Sequence, residues 1–214
     1  MKDKKEIFLD FDKHLLQDEK PSLYFETLAR SGEFKDIYPL TFLWDLIKVE
    51  QSPKHHPEGS VWKHTMMVLD KAAENKHLSE NQRIFMWAAL LHDIGKAPTT
   101  KLRKGRLTSY DHDKVGAEMV IKFLQEFTDD KDFIKKVSIL VRWHMQPLFI
   151  AKNMPFGELD KMLEQVSADE IGLLAVCDRL GRGEMTEEKA KEEKESIERF
   201  LKKAKERAEN MLTV

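Results

Sequence analysis

The apolar residues of this chain recur at intervals of three and four almost throughout, and no alternating run demands a sheet. Residues 3 to 17 carry Ile7, Phe11 and Leu15 on one side of a helix. Pro21 opens a second helical run, Leu23 to Ala29, which Gly32 can close from the position beyond the C-cap. Tyr38-Pro39 punctuates, and Leu40 to Val49 reads as a short, nearly all-apolar helix. Residues 51 to 60 (QSPKHHPEGS) contain Pro53, Pro57 and Gly59 and read as a loop.

From Val61 the period returns, with Trp62, Thr65, Met66, Leu69 and Ala73 on one face and His64 beginning a neighbouring stripe. Ser79 with Gln82 predicts a capping-box start for the next helix, where Ile84, Trp87, Ala88 and Leu91 fall at i, i+3, i+4 and i+7. That helix ends on His92-Asp93 and runs into a glycine turn. Residues 97 to 111 are polar, with Pro98 and Gly105, and fit a small hairpin or a plain loop equally well. A helix is expected over 112 to 127, with His112 in its first turn. Asp129 or Asp130 can cap the next, on which Val137, Leu140, Val141 and His144 share a stripe, and Gln146-Pro147 should end it. A short amphipathic helix to about Val166 follows. Ser167 and Glu170 then form a second capping box for Ile171 to Leu180, a helix apolar nearly all round and therefore buried, stopped by Gly181-Arg182-Gly183. Ile197, Phe200, Leu201, Ala204, Ala208 and Met211 keep one stripe through the Glu- and Lys-rich tail. The expected fold class is all-α, with residues 1–183 as one domain and 184–214 as an amphipathic helix packed on it.

Composition narrows the class. The chain has 214 residues, 41% hydrophobic and 35% charged, enough for a substantial core in a soluble globular domain. A net charge of -2 gives no global pull towards nucleic acid or anionic membrane. One cysteine, Cys177, precludes an intrachain disulfide framework and fits a reducing cytosol. The charged amino terminus lacks a signal-peptide core, and no apolar run approaches a membrane span. The expected location is the cytoplasm, with no membrane partner.

Six metal-capable side chains lie on separate helices or helix ends: His64, His92, Asp93, His112, His144 and Asp178. Each has a plain structural role open to it. His92 can sit on the negative end of a helix dipole, His64 can pack, and His112 can face water from a first turn. His144 lies on a Val-Leu-Val stripe and must find a partner inside. Asp178 would suffer a desolvation penalty of several kcal/mol unless a metal, or Arg179 or Arg182, pairs with it. Imidazoles and carboxylates without thiolate suit Mn, Fe, Co, Ni, Zn or Mg. No serine or cysteine nucleophile is evident beside the cluster in sequence: Cys177 adjoins Asp178, but consecutive helical residues point about 100° apart, and a small buried packing role is open to it.

The order and spacing, H…HD…D, resemble the HD-domain metal-dependent phosphohydrolase superfamily. The resemblance implies an all-α HD-domain helical bundle, here with an added C-terminal helix, and one or two divalent ions. His64, His92, Asp93 and Asp178 would hold the first ion. Asp93 would bridge to a second on His112 and His144. Lys96, in the HDxGK arrangement, would act with Asp93 in catalysis and bind substrate together with His56 and Arg182. Arg103, Lys104 and Arg106 read as an ordinary basic loop, and His55 as a surface residue.

Longer stretches carry a closer resemblance. Pro21-Ser22-Leu23-Tyr24-Phe25, Tyr38-Pro39-Leu40, HPEGSVWKHTMMVLD, LLHDIGKAPT, DHDKVGAE and CDRLGRG are similar to bacterial tRNA nucleotidyltransferases with a carboxy-terminal HD domain. In that family the HD domain is associated with phosphatase, nucleotidase and cyclic phosphodiesterase activities. No stretch resembles the polymerase head, since Asp10 and Asp12 lack a preceding Gly-rich element; CCA addition is not expected. The expected function is metal-dependent hydrolysis of a nucleotide phosphoester, of phosphatase or 2′,3′-cyclic phosphodiesterase type. The alternative is a catalytically idle HD-fold module binding tRNA or a regulatory nucleotide. Near-neutral charge argues against strong tRNA binding, so the expected partner is a small nucleotide or phosphoester.

Overall fold

The computed structural model describes residues 3–33 and 35–212. Helix α1 (Lys4–Gln17) opens on a capping box, in which Asp3 accepts from Glu6 N and Glu6 accepts from Asp3 N. Gly32 closes α2 (Ser22–Ser31) at φ 72, a left-handed position that costs glycine little. The apolar run expected as one helix over 40–49 divides into α3 (Thr41–Asp45) and a 3-10 turn over Leu46–Lys48. Helix α4 (Val61–Asn75) is capped by Ser60.

Both expected capping boxes differ from the structure for one reason. Helix α5 (Gln82–Leu91) is capped by Asn81, which accepts from Ile84 N at 3.1 Å, and not by Ser79. Ser79 Oγ donates instead to Glu170 Oε1 at 2.5 Å, and Glu80 N donates to the other oxygen at 3.0 Å. Ser167 does cap α11 (Ala168–Leu180), accepting from Glu170 N at 3.2 Å. The Glu170 carboxylate that would complete that box is the one spent on Ser79 and Glu80. A tertiary staple between two helix starts has displaced two local motifs.

The segment with two open readings is a hairpin. After α6 (Lys96–Thr99), β1 (Lys101–Arg103) pairs antiparallel with β2 (Arg106–Thr108), Leu102 opposite Leu107. Lys104 at φ 50 and Gly105 at φ 73 make the two-residue turn with both φ positive. Helices α7 (His112–Gln125) and α8 (Lys131–Trp143) follow, the latter capped by Asp130. Gln146-Pro147 lies beyond the end of α8 and starts α9 (Gln146–Ala151), Pro147 occupying a first-turn position where its missing N–H is harmless. Helix α10 (Leu159–Leu163) is shorter than expected, and α12 (Glu187–Leu212) ends the described chain.

Helices α4, α5, α7, α8 and α11 form the bundle, with α5 central and buried almost all round. Phe11, Phe25, Phe85, Trp87 and Phe123 fill its interior. Helix α12 packs along α11 and α9 through Ile197, Phe200 and Ala204, while Met211 at the end of its stripe stays open at 41% exposure. Among the described residues no helix is long and apolar enough to cross a membrane.

Candidate metal centre

The six side chains singled out above converge at one end of the bundle. His64 comes from the first turn of α4, His92 and Asp93 from the end of α5, His112 from the start of α7, His144 from the end of α8 and Asp178 from the last turn of α11. All six are buried, including His112, whose water-facing alternative does not occur.

Three of the histidines share one local construction. His92 Nδ1 donates to Ala89 O at 2.9 Å, His144 Nδ1 to Val141 O at 2.6 Å and His112 Nδ1 to Ser109 O at 2.7 Å. The first two use carbonyls that a helix end leaves unpaired. A carbonyl only accepts, so each Nδ1 carries a proton, and in its neutral form each ring presents an Nε2 lone pair to the cluster. His112 Nε2 and His144 Nε2 face each other at 3.2 Å, and lie 3.5 and 3.8 Å from Asp93 Oδ1. Burial lowers both rings, His144 to about 3, which disfavours a second proton on either. Two lone pairs and a carboxylate oxygen around one point repel unless a cation lies between them. His92 Nε2 is buried without a hydrogen-bond partner, 3.3 Å from Asp93 Oδ2.

His64 lies between carboxylates, its Nδ1 3.0 Å from Glu58 Oε1 and its Nε2 2.9 Å from Asp178 Oδ1 and 3.8 Å from Asp93 Oδ2. Potential ligand atoms of His64, His92 and Asp93 fall within 4.8 Å of one another, as do those of Asp93, His112 and His144. Asp93 belongs to both sets. Asp178 joins through its contact with His64. The donor set, borderline nitrogens and hard oxygens on orphaned buried atoms, fits one or two divalent ions.

Electrostatics keep the acids ionised. Burial pushes the Asp93 carboxyl up, but Lys96 and His92 outweigh it and hold it well below the usual carboxylate range. Asp178 is held down in the same way, against burial, by the His64 hydrogen bond and then by Arg182 and Arg179. Neither arginine replaces His64 as its partner, since Arg179 Nε is 3.9 Å and Arg182 Nη2 4.0 Å away. Burial opposes a proton on His92, yet the adjacent Asp93 raises its pKa overall. Lys96 is tied down within the centre. Its Nζ lies 2.8 Å from Asp93 Oδ2, off the axis of a hydrogen bond, and donates to Gln51 Oε1 at 2.7 Å.

Above the cluster opens a cavity of about 300 Å³ lined by Lys96, His56, Arg182, Asp93, His112 and His144 among others. Ser52, and Ser109 three residues before His112, also line it. The Ser109 hydroxyl is bonded to Thr100 Oγ1 at 2.7 Å. Cys177 is buried, its Sγ donating to Lys71 O at 3.7 Å, and burial pushes the thiol up to about 12.

Two polar residues of the centre carry no sequence signal comparable to a ligand motif. Gln51 sits in a stretch read simply as loop. Glu58, two residues after His56, stands 2.8 Å from His56 Nδ1 and 3.0 Å from His64 Nδ1. Burial lowers His56 to about 4 despite that bond, and the two imidazoles draw Glu58 down against its own desolvation. Glu58→Gln is expected to weaken divalent-ion binding by about 10- to 100-fold, the usual effect of losing a carboxylate behind a ligating histidine. Titration with Mn reads this, and unchanged affinity would remove Glu58 from the centre.

Gly95 fixes the Asp93 turn against α7. A Cβ there would stand 2.1 Å from His112 O and 2.6 Å from Gly116 N, both backbone atoms that cannot swing aside. Gly95→Ala should therefore exceed the ~1–3 kcal/mol of ordinary overpacking. The check is the denaturant midpoint, which should fall at constant slope.

The family model for the HD domain matches residues 61–183, the span holding all six side chains. The chain is similar to the multifunctional CCA protein of Mannheimia succiniciproducens, 29% identical over 181 residues, covering 78% of this chain and 41% of the relative. It is 34% identical over 131 residues to that of Actinobacillus pleuropneumoniae, covering 59% and 30%. With that of Methylococcus capsulatus it shares 40% over 93 residues, covering 44% and 20%. The chain spans about two fifths or less of the length of these relatives.

Proposed function

The chain belongs to the HD-domain family, a metal-dependent phosphohydrolase-type domain, and from that premise we propose that it hydrolyses phosphoesters of small nucleotides. The observation that carries this reading is the set of three imidazoles locked by carbonyls with Nε2 turned on Asp93. His64, His92, Asp93 and Asp178 would hold one divalent ion, and Asp93, His112 and His144 a second. Mn, Fe, Co, Ni, Zn and Mg are the candidates. When bound, such ions supply Lewis acidity towards a phosphoryl oxygen and activation of water.

The chain's own residues do the rest. Lys96 holds its charge beside Asp93, and Gln51 fixes its ammonium at the cavity floor. His56 and Arg182 line the same cavity and would orient the phosphate. A volume of about 300 Å³ suits a mononucleotide better than a polymer. Nucleoside monophosphates and 2′,3′-cyclic nucleotides are the substrates proposed. The free, buried Cys177 accords with action in the cytoplasm.

The test is a panel of those substrates with Mn, Co, Ni or Mg, with and without chelator, for wild type, His92→Ala and Lys96→Ala. Hydrolysis that chelator abolishes, lost in His92→Ala and shifted to higher KM in Lys96→Ala, is expected. A fully metal-loaded wild type that hydrolyses nothing would leave the idle nucleotide-binding module instead.

A further inference from the structure

Arg179 and Arg182 stand on one wall of the cavity beside Asp178. Arg179 is only 8% exposed, and Arg182 Nε is buried without a hydrogen-bond partner. Each guanidinium offers five donors in a planar fork. The carboxylates facing them keep their distance. Arg179 Nε is 3.9 Å from Asp178 Oδ2 and 4.0 Å from Glu193 Oε2. Arg182 Nη2 is 4.0 Å from Asp178 Oδ1, and its Nη1 3.8 Å from Glu193 Oε1. Among the described residues neither side chain donates a hydrogen bond within range. The buried Arg179, whose guanidinium makes no hydrogen bond, and the half-buried Arg182, with its orphaned Nε, leave donors that a ligand with acceptor oxygens would complete.

Resting on the phosphoester reading above, we infer that Arg179 and Arg182 form a two-pronged subsite for the phosphoryl oxygens of the substrate, with Glu193 of α12 as its positioning residue. Guanidinium forks match phosphate oxygens two at a time, which a single ammonium such as Lys96 does not. Glu193 lies outside residues 61–183 and does not itself line the cavity, so the helix after the matched span reaches the site only through the two arginines it stands beside. Its carboxylate brackets both arginines at ion-pair range without saturating them. It also places a negative charge near any bound phosphate, which limits how tightly product is held.

These two roles have opposite signs, which makes them testable. The probe is inorganic phosphate, titrated calorimetrically into full-length protein loaded with Mn. Arg182→Met should bind phosphate about tenfold or more weakly, and Arg179→Met likewise if it folds. Glu193→Gln, which keeps shape and removes charge, should bind it about threefold more tightly. Mn stoichiometry should be unchanged in all three, and with an active substrate the arginine variants should raise KM more than they lower kcat. A general loosening of the wall would weaken phosphate binding in every variant. Equal affinity in wild type and Arg182→Met, weaker affinity in Glu193→Gln, or no phosphate binding by wild type would each overturn the inference. Absence of hydrolysis across the substrate panel would defeat the functional reading alone, leaving these affinities to judge the fork.

Discussion

Asp93→Asn protein is expected to lose tight divalent-ion binding and at least about a thousandfold in phosphoester hydrolysis, the equivalent of ~4 kcal/mol. Asp93 is the one residue shared by the two fully buried sets of converging ligand atoms, His64–His92–Asp93 and Asp93–His112–His144. Its two oxygens are divided between them, Oδ2 towards His64, His92 and Lys96, and Oδ1 towards His112 and His144. An amide keeps the shape, removes the charge and turns one oxygen into a donor that no ion accepts. The same change strips Lys96 of its carboxylate partner. Metal analysis of the purified variant, beside its turnover with added Mn, reads both effects. Stoichiometric metal in Asp93→Asn would show that the two sets are not joined through this residue.

Metal loading should stabilise the fold as a whole, and chelator should reverse it. The ligands come from five helices, α4, α5, α7, α8 and α11, so an ion that binds them binds only the folded state. At a free ion concentration near 100 times Kd, linkage contributes ~2.7 kcal/mol. For a chain of this size that corresponds to a rise in Tm of roughly 5–10 °C. Asp93→Asn should show almost none of this shift. His144→Ala should retain part of it, with Mn stoichiometry reduced from two to one. A Tm indifferent to metal in the wild type would mean that these side chains pack against one another without holding an ion.

The candidate ligands were legible in the sequence through the order and spacing of one H…HD…D pattern, and some of them also as polar residues on apolar helical faces; His112, in a polar first turn, stood out least. His144 on the Val137, Leu140 and Val141 stripe, and Asp178 inside an almost wholly apolar helix, have few other ways to be satisfied inside a core. The helices themselves were legible from the same periodicity. What was hidden depends on partners far along the chain. Ser79 and Glu170 are 91 residues apart, and their bond cancels two capping boxes that each look complete locally. Glu58 shows its role only once α4 places His64 beside it. Arg179 and Arg182 read as rival partners for Asp178, and only the packing of α12 reveals that Glu193 brackets them as well. The hairpin was undecidable because strands of three residues are too short to display alternation, and Lys104-Gly105 is a weaker turn signal than Asn-Gly.

The measurement closest to the central claim is anomalous diffraction from crystals of the full chain loaded with Mn. Two peaks are predicted, ~2 Å from their ligand atoms. One should be ringed by His64, His92, Asp93 and Asp178, the other by Asp93, His112 and His144. A single fully occupied peak on the first set would reduce the centre to one ion. Manganese bound elsewhere, with none inside this cluster, would contradict the account.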